Sequence, residues 1–420
     1  MPLRRVALLC LLTCTPDLHG EVTDDDDDAH TPVPKDSSLR SARDNPPTPP
    51  PVPRSITGLG APVPGASEAR LRLLHANLQA YAPLADDTLL IWPWPTDDDA
   101  ETGAQRLDLT TGAVAPWSQS WTPEAAGWRL RRDSATGPFG HEVTHDGQRV
   151  AVAYSFAPRT LPPDHRGELV AIVASRSDGS EPRCIGIGVP SDDPPPFSWA
   201  HDGRRLIGDW TVACEPDRRG RPTLLHPERP DTFLVSMPWL DLVDGRGGDI
   251  PYRFVSQGRD PLGDLVANNF ADSRGVGLEH FNLATGAVLG VALEEPAQDF
   301  HDPRWVSADA VLVDVTSEDG RTQLSQRLVY SDGRSVAVPG PRWQVYTRLP
   351  GDQVLLSRDG GRTVEQAHVD WTRFQVESSL PRPELARFTA PAPGQSPASW
   401  RPGLGGVLID DASGLYLAAL

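Results

Sequence analysis

The chain has 420 residues, 38% of them hydrophobic, with 44 Pro, 37 Gly and a formal net charge of -18. That apolar supply suits one large domain, and the dense Pro and Gly punctuation speaks for short elements joined by many turns. The acidic balance excludes a nucleic-acid groove, because phosphate binding needs a concentrated basic surface.

Residues 1–13 read as an export signal: Arg4 and Arg5 precede an apolar stretch too short to cross a bilayer. Its end, Leu11-Leu12-Thr13-Cys14, resembles the lipobox of bacterial lipoproteins, with Thr13 where that family carries Gly, Ala or Ser. The resemblance implies an acylated Cys14 and membrane attachment through that lipid alone. An ordinary secretory leader cleaved further on is the alternative. Residues 14–67 contain the acidic run Asp24 to Asp28 and the Pro-rich stretch Pro46 to Pro51. Such composition cannot bury a core, so this segment is expected to be a disordered tether, its Asp run solvated and not a calcium site.

From residue 68 to 420 the pattern is β throughout, in short apolar or alternating runs bounded by Asp-Gly, Thr-Gly and Pro. Seven runs look most buried: Thr88 to Trp92, Val150 to Tyr154, Leu206 to Trp210, Leu265 to Asn269, Ala310 to Val315, Gln353 to Arg358 and Gly406 to Asp410. They stand roughly 43 to 61 residues apart, which fits repeated four-stranded units with loop insertions. Segments such as Arg106 to Gly112, His280 to Gly286 and Arg327 to Gly333 read as third strands ending in a turn. The last repeat stops at Leu420 without a fourth strand, and Ala69 to Leu74 is expected to supply it, removing the free edges.

One motif recurs. In Pro196 to Trp210, Trp199 precedes the Asp202-Gly203 turn and Leu206-Ile207 follows it. Related copies run from Val143 to Tyr154, Pro303 to Asp314 and Pro397 to Ile409. These copies resemble the strand-turn-strand of TolB-type and other WD40-like β-propellers. The resemblance implies a propeller facing the periplasm and meeting other proteins. Seven four-stranded blades are expected, with six or eight left open. Trp199, Trp305 and Trp400 are read as equivalent repeat positions that pack the blades, and not as a carbohydrate platform.

Some stretches of the chain resemble chemical motifs. His141-Glu142-Val143-Thr144-His145 matches the H-E-x-x-H zinc-protease signature. It lies where a strand meets the Asp146-Gly147 turn, and on a strand positions i and i+4 are about 13 Å apart, against about 6 Å on a helix. A zinc site is therefore not expected. Asp108 to Trp117 resembles the repeat of pyrroloquinoline-quinone dehydrogenases but has one extra residue before its Trp, and the copy at Asn282 to Gly286 has no Trp there. No nucleophile elbow, phosphate loop or dinucleotide fingerprint occurs. The sequence thus offers no catalytic set, no metal ligands and no cofactor. The loop acids Asp97 to Asp99 and Asp192-Asp193 are read as solvent-exposed.

Cys184 and Cys214 are the two cysteines of the domain; in an exported protein they either form one disulfide or stay as two buried thiols. The long insertion Ala213 to Asp231 carries Arg218, Arg219, Arg221 and Arg229, a candidate contact for an acidic partner. The reading is an exported, lipid-anchored propeller of a bacterial envelope, facing the periplasm or cell surface. It is taken as a monomeric, non-catalytic domain that binds an envelope protein. The alternative is a propeller enzyme or carbohydrate binder using acidic groups around the central channel.

Overall fold

A computed structural model describes residues 58–64, 70–76, 78–85, 87–93, 104–132, 137–159, 168–188, 197–223, 237–250, 258–272, 275–293, 298–317, 322–390 and 397–420. The lipidation candidate Cys14, the export signal, the Asp run and Arg229 all lie outside the described residues, as do Asp97 to Asp99 and Asp192-Asp193.

Six of the seven expected apolar runs lie in the second strand of their own antiparallel sheet, and Leu265 to Asn269 lies in the first of three described strands of the remaining one. In the first sheet this strand is Thr88–Pro93, and its side chains alternate between two neighbours. Leu89 and Ile91 pack with Leu408, Leu415 and Leu417 of the last sheet, whereas Leu90 and Trp92 pack with Val150 and Val152 of the second. A strand covered on both faces can be apolar at every position. The same arrangement repeats around the ring, giving one apolar seam between each pair of successive sheets. Each fully buried Leu or Val in these seams contributes about 1.5–3 kcal/mol relative to exposure. The chain is a seven-bladed β-propeller.

The last blade joins the two ends of the domain. Leu71–His75 pairs with Gly414–Ala419, Leu71 opposite Ala418 and Leu73 opposite Tyr416, and so completes the sheet begun by Ser399–Gly403 and Gly406–Asp411. A fifth strand, Ala61–Pro62, is added outside it, with Leu59 and Val63 buried in the flanking seams. The propeller therefore takes in residues before position 68. The Arg72 Nε donates to the Leu59 carbonyl at 2.9 Å and its Nη2 to that of Gly60, tying this entering segment to the blade.

Among the described residues blade 4 shows three strands, Leu265–Asp272, Gly275–Asn282 and Val288–Leu293. The segment inside them meets the sheet through an Arg259–Val266 bridge and a bond from the Asp260 N–H to the Leu265 carbonyl, and at Gly258 an added Cβ would lie 1.8 Å from the Ala267 carbonyl oxygen. The run Leu206 to Trp210 ends as a strand at Gly208. Trp210 then folds back, with its ring wedged between Gly208 and Gly186 of the neighbouring blade.

Because each blade is a simple up-and-down sheet, the connections between blades and the loops from second to third strand lie on one face. The turns from first to second strand lie on the other. All the long insertions belong to the first of these faces. The innermost strands of blades 1, 2, 5 and 6 each carry a β-bulge.

Candidate functional site

The H-E-x-x-H segment runs along the innermost strand of blade 2, Gly137–Val143, into its turn. His141 lies nearly flat on Trp92 of blade 1, ring centroids 4.0 Å apart, with Nε2 2.8 Å from the Tyr81 carbonyl oxygen. That geometry requires Nε2–H as donor, and burial holds the imidazole neutral by lowering its pKa to about 4. His145 instead packs at a tilt against His201 of the next blade, ring centroids 4.4 Å apart, and burial, with the charge of His201 second, lowers its pKa. Burial raises the pKa of Glu142, opposed by Arg259 and Arg401. The extended strand thus sends its two histidines to different neighbours, which is the geometry of structural contacts and not of shared metal ligation. Among the described residues no three His, Cys, Asp or Glu side chains gather as a metal site.

The expected arginine surface is more informative. Cys184 belongs to the outer strand of blade 2, Arg183–Gly188, and Cys214 to the insertion after the second strand of blade 3. The two are disulfide-bonded, with S–S 2.07 Å and Cα–Cα 5.9 Å. Just before Cys214, Val212 pairs with Ile187, so the insertion extends the edge of blade 2. A second insertion, between blades 1 and 2, packs on the first: the Trp128 Nε1 donates to the Cys214 carbonyl at 2.7 Å, and its ring meets Phe156 edge-on at 5.4 Å. Trp128, Phe156, Ile187 and Val212 share an apolar cluster separate from the inter-blade seams.

On this base stands a tight turn, residues 217–221. The Asp217 carboxylate accepts the Arg219 and Arg221 backbone N–H groups at 2.8 Å each and the Arg221 Nε at 2.9 Å. These bonds, the Arg221 N–H first, hold its pKa low. Gly220 supplies the left-handed backbone, φ +75°. The three described arginines of this set therefore separate. Arg221 is spent on Asp217, whereas the guanidinium groups of Arg218 and Arg219 are exposed and have no partner among the described residues. Arg129, Arg132 and Arg159, from the adjoining insertions, are also exposed.

The tryptophans are not all equivalent. Trp199 pairs with Leu206 and Trp305 with Val311, each the second residue of its blade's second strand, and both rings are buried. Trp400 pairs with Ile409, the fourth residue of its strand, and is only half-buried. A shift of two residues keeps the ring on the same side of the sheet and moves it to the face that bears the insertions. Trp400 still packs against the apolar seam of blades 6 and 7, so the expected blade packing stands and only the equivalence of its position with Trp199 and Trp305 is corrected by this register.

No protein-family model matches the sequence, and a search of curated proteins finds no match. Solved structures to which the chain is similar include a TolB-named protein of Agrobacterium tumefaciens, at 14% identity over 62% of this chain and 80% of that one, TM-score 0.31. The β-propeller domain of the Trilobed protease from Pyrococcus furiosus matches at 10% identity, 66% and 77% coverage and TM-score 0.39. Hydrazine synthase of Kuenenia stuttgartiensis matches at 13% identity, 78% and 86% coverage and TM-score 0.37. Matches of this identity and TM-score assign no activity to the chain.

Proposed function

We propose that this propeller is an exported, lipid-anchored, non-catalytic module of a bacterial envelope that docks an acidic protein partner through the Arg218–Arg219 turn. The observation that carries the reading is the turn itself. Two guanidinium groups with no partner among the described residues stand on a base fixed by the Cys184–Cys214 disulfide and the Trp128 hydrogen bond, in a chain of net charge -18. Such a device presents Arg without the entropy cost of ordering a long loop on binding, and Arg is favoured at interfaces because its fork matches carboxylates in pairs. The disulfide agrees with export, since such bonds persist in oxidising compartments. The leader and Cys14 would supply the anchor, and residues 14–67 the tether.

The experiment is cross-linking co-purification of the full chain from its own envelope, beside Cys14→Ala and Arg218→Glu/Arg219→Glu forms. A stoichiometric partner depleted in both variants supports the reading. A partner retained by the Arg218→Glu/Arg219→Glu form, or none at all, overturns it.

A further inference from the structure

A cleft of about 240 Å³ opens between the innermost strands of blades 5, 6 and 7. Two β-bulges shape it. In blade 6 Tyr346 is the extra residue, between the Val345–Leu356 and Thr347–Leu355 pairs. In blade 5 the register slips between His301–Asp314 and Arg304–Leu312, with Asp302 held at φ +56°. Bulges re-aim side chains, and a non-glycine residue at positive φ is a cost that the surrounding structure must offset. Here the side chains so placed line one cavity. Tyr346 stacks on Trp400 at 4.8 Å and 28°, and Phe388 meets Trp400 edge-on at 6.1 Å.

The polar lining is charge-balanced. Asp302 is paired with Arg304 at 2.8 Å, and Asp314 accepts from Arg342 and, at 2.8 Å, from Gln326. A free ion would therefore meet no net charge. A wholly apolar ligand would strand the Gln344 amide and the Ser399 hydroxyl, which line the cleft with no partner among the described residues. What suits a half-buried aromatic pair ringed by neutral and mutually compensated polar groups is a molecule with one apolar face and many hydroxyls at its rim. We infer that the Trp400–Tyr346 cleft binds a neutral hexopyranose, one ring at the end of a glycan, stacked on the aromatic pair with its hydroxyls on Asp302, Gln344 and Ser399. This site is separate from the arginine turn on blades 2 and 3, so either can fail without the other.

The test is calorimetric titration of the full chain with glucose, galactose, mannose and N-acetylglucosamine. At least one should give saturable heat. Trp400→Ala should weaken that binding about tenfold, and Asp302→Asn, an exposed change that leaves the fold intact, should weaken it as well. Should Trp400→Ala fail to fold, Asp302→Asn with an unchanged melting temperature decides. Absence of saturable heat with all four sugars, or undiminished binding by Asp302→Asn, overturns the inference.

Discussion

Arg348 of blade 6 and Asp260 of blade 4 meet at 2.7 Å although blade 5 lies between their blades in the ring. Both side chains are nearly closed to solvent, at 10% and 4% exposure. Burial pushes the Asp260 carboxyl up, and Arg348 opposes this. The pair is a strut across the end of the channel formed by the first-to-second-strand turns. Removing one partner leaves the other charge buried alone, so Arg348→Met should destabilise the fold by about 3–5 kcal/mol. Arg348→Met/Asp260→Leu should recover most of that loss. A urea-denaturation double-mutant cycle measures it, and additive losses would show the two residues to be uncoupled.

Acid should loosen the propeller through its buried histidines. Burial lowers the pKa of His280 from 6.5 to about 4, and that of His141 likewise. Between those values the unfolded chain binds protons that the folded chain refuses, so stability rises with pH across the window. This contribution is complete above the unfolded value and lost as pH falls to about 4; for a fully buried His it is about 3 kcal/mol. Neither ring nitrogen of His280 has a hydrogen-bond partner among the described residues, so His280→Phe should cost little at neutral pH and flatten the acid slope. Urea midpoints at several pH values would reveal this; an unaltered slope in the variant would assign the acid response elsewhere.

The disulfide closes a sequence separation of 30 residues, for which chain entropy predicts about 3–4 kcal/mol. Cys184→Ser/Cys214→Ser should lower the melting temperature. It should also release the insertion around Arg218 and Arg219, making it the first site of tryptic cleavage. Limited proteolysis followed by mass spectrometry distinguishes the outcomes, since a uniformly weakened propeller would be cut in many places at once.

Trp210 sits between two glycines. A Cβ on Gly186 would lie 2.4 Å from its Cδ1, and one on Gly208 2.4 Å from its Cζ3. Gly186→Ala and Gly208→Ala should each displace the indole and cost about 1–3 kcal/mol. Thermal melts with near-ultraviolet circular dichroism would register both the loss and the moved Trp.

The parts of this molecule carried by short-range pattern were legible before any coordinates. Leu89 to Ile91 is apolar at every position and Asp202-Gly203 can make a tight turn, so strand and turn could be placed by counting. The missing last strand was legible too, because a sheet with an open edge needs a partner and Leu71 to Leu74 had the apolar pattern for it. Trp400 shows the limit: its spacing from the following turn resembles that of Trp199, yet it pairs with Ile409, two residues further along the second strand than the partner of Trp199.

Sequence by itself determined the propeller architecture and pointed to seven blades, since each blade's second strand is specified by its own burial on both faces and by its own turns, while the structure fixed the count at seven. Tertiary structure alone decided that Cys184 reaches Cys214, that Asp217 occupies Arg221 while Arg218 and Arg219 have no partner among the described residues, and that Tyr346 meets Trp400. Each of these depends on how neighbouring blades and insertions come to rest against one another. Distances across a ring are set by packing and register summed over hundreds of residues, which no local spacing encodes.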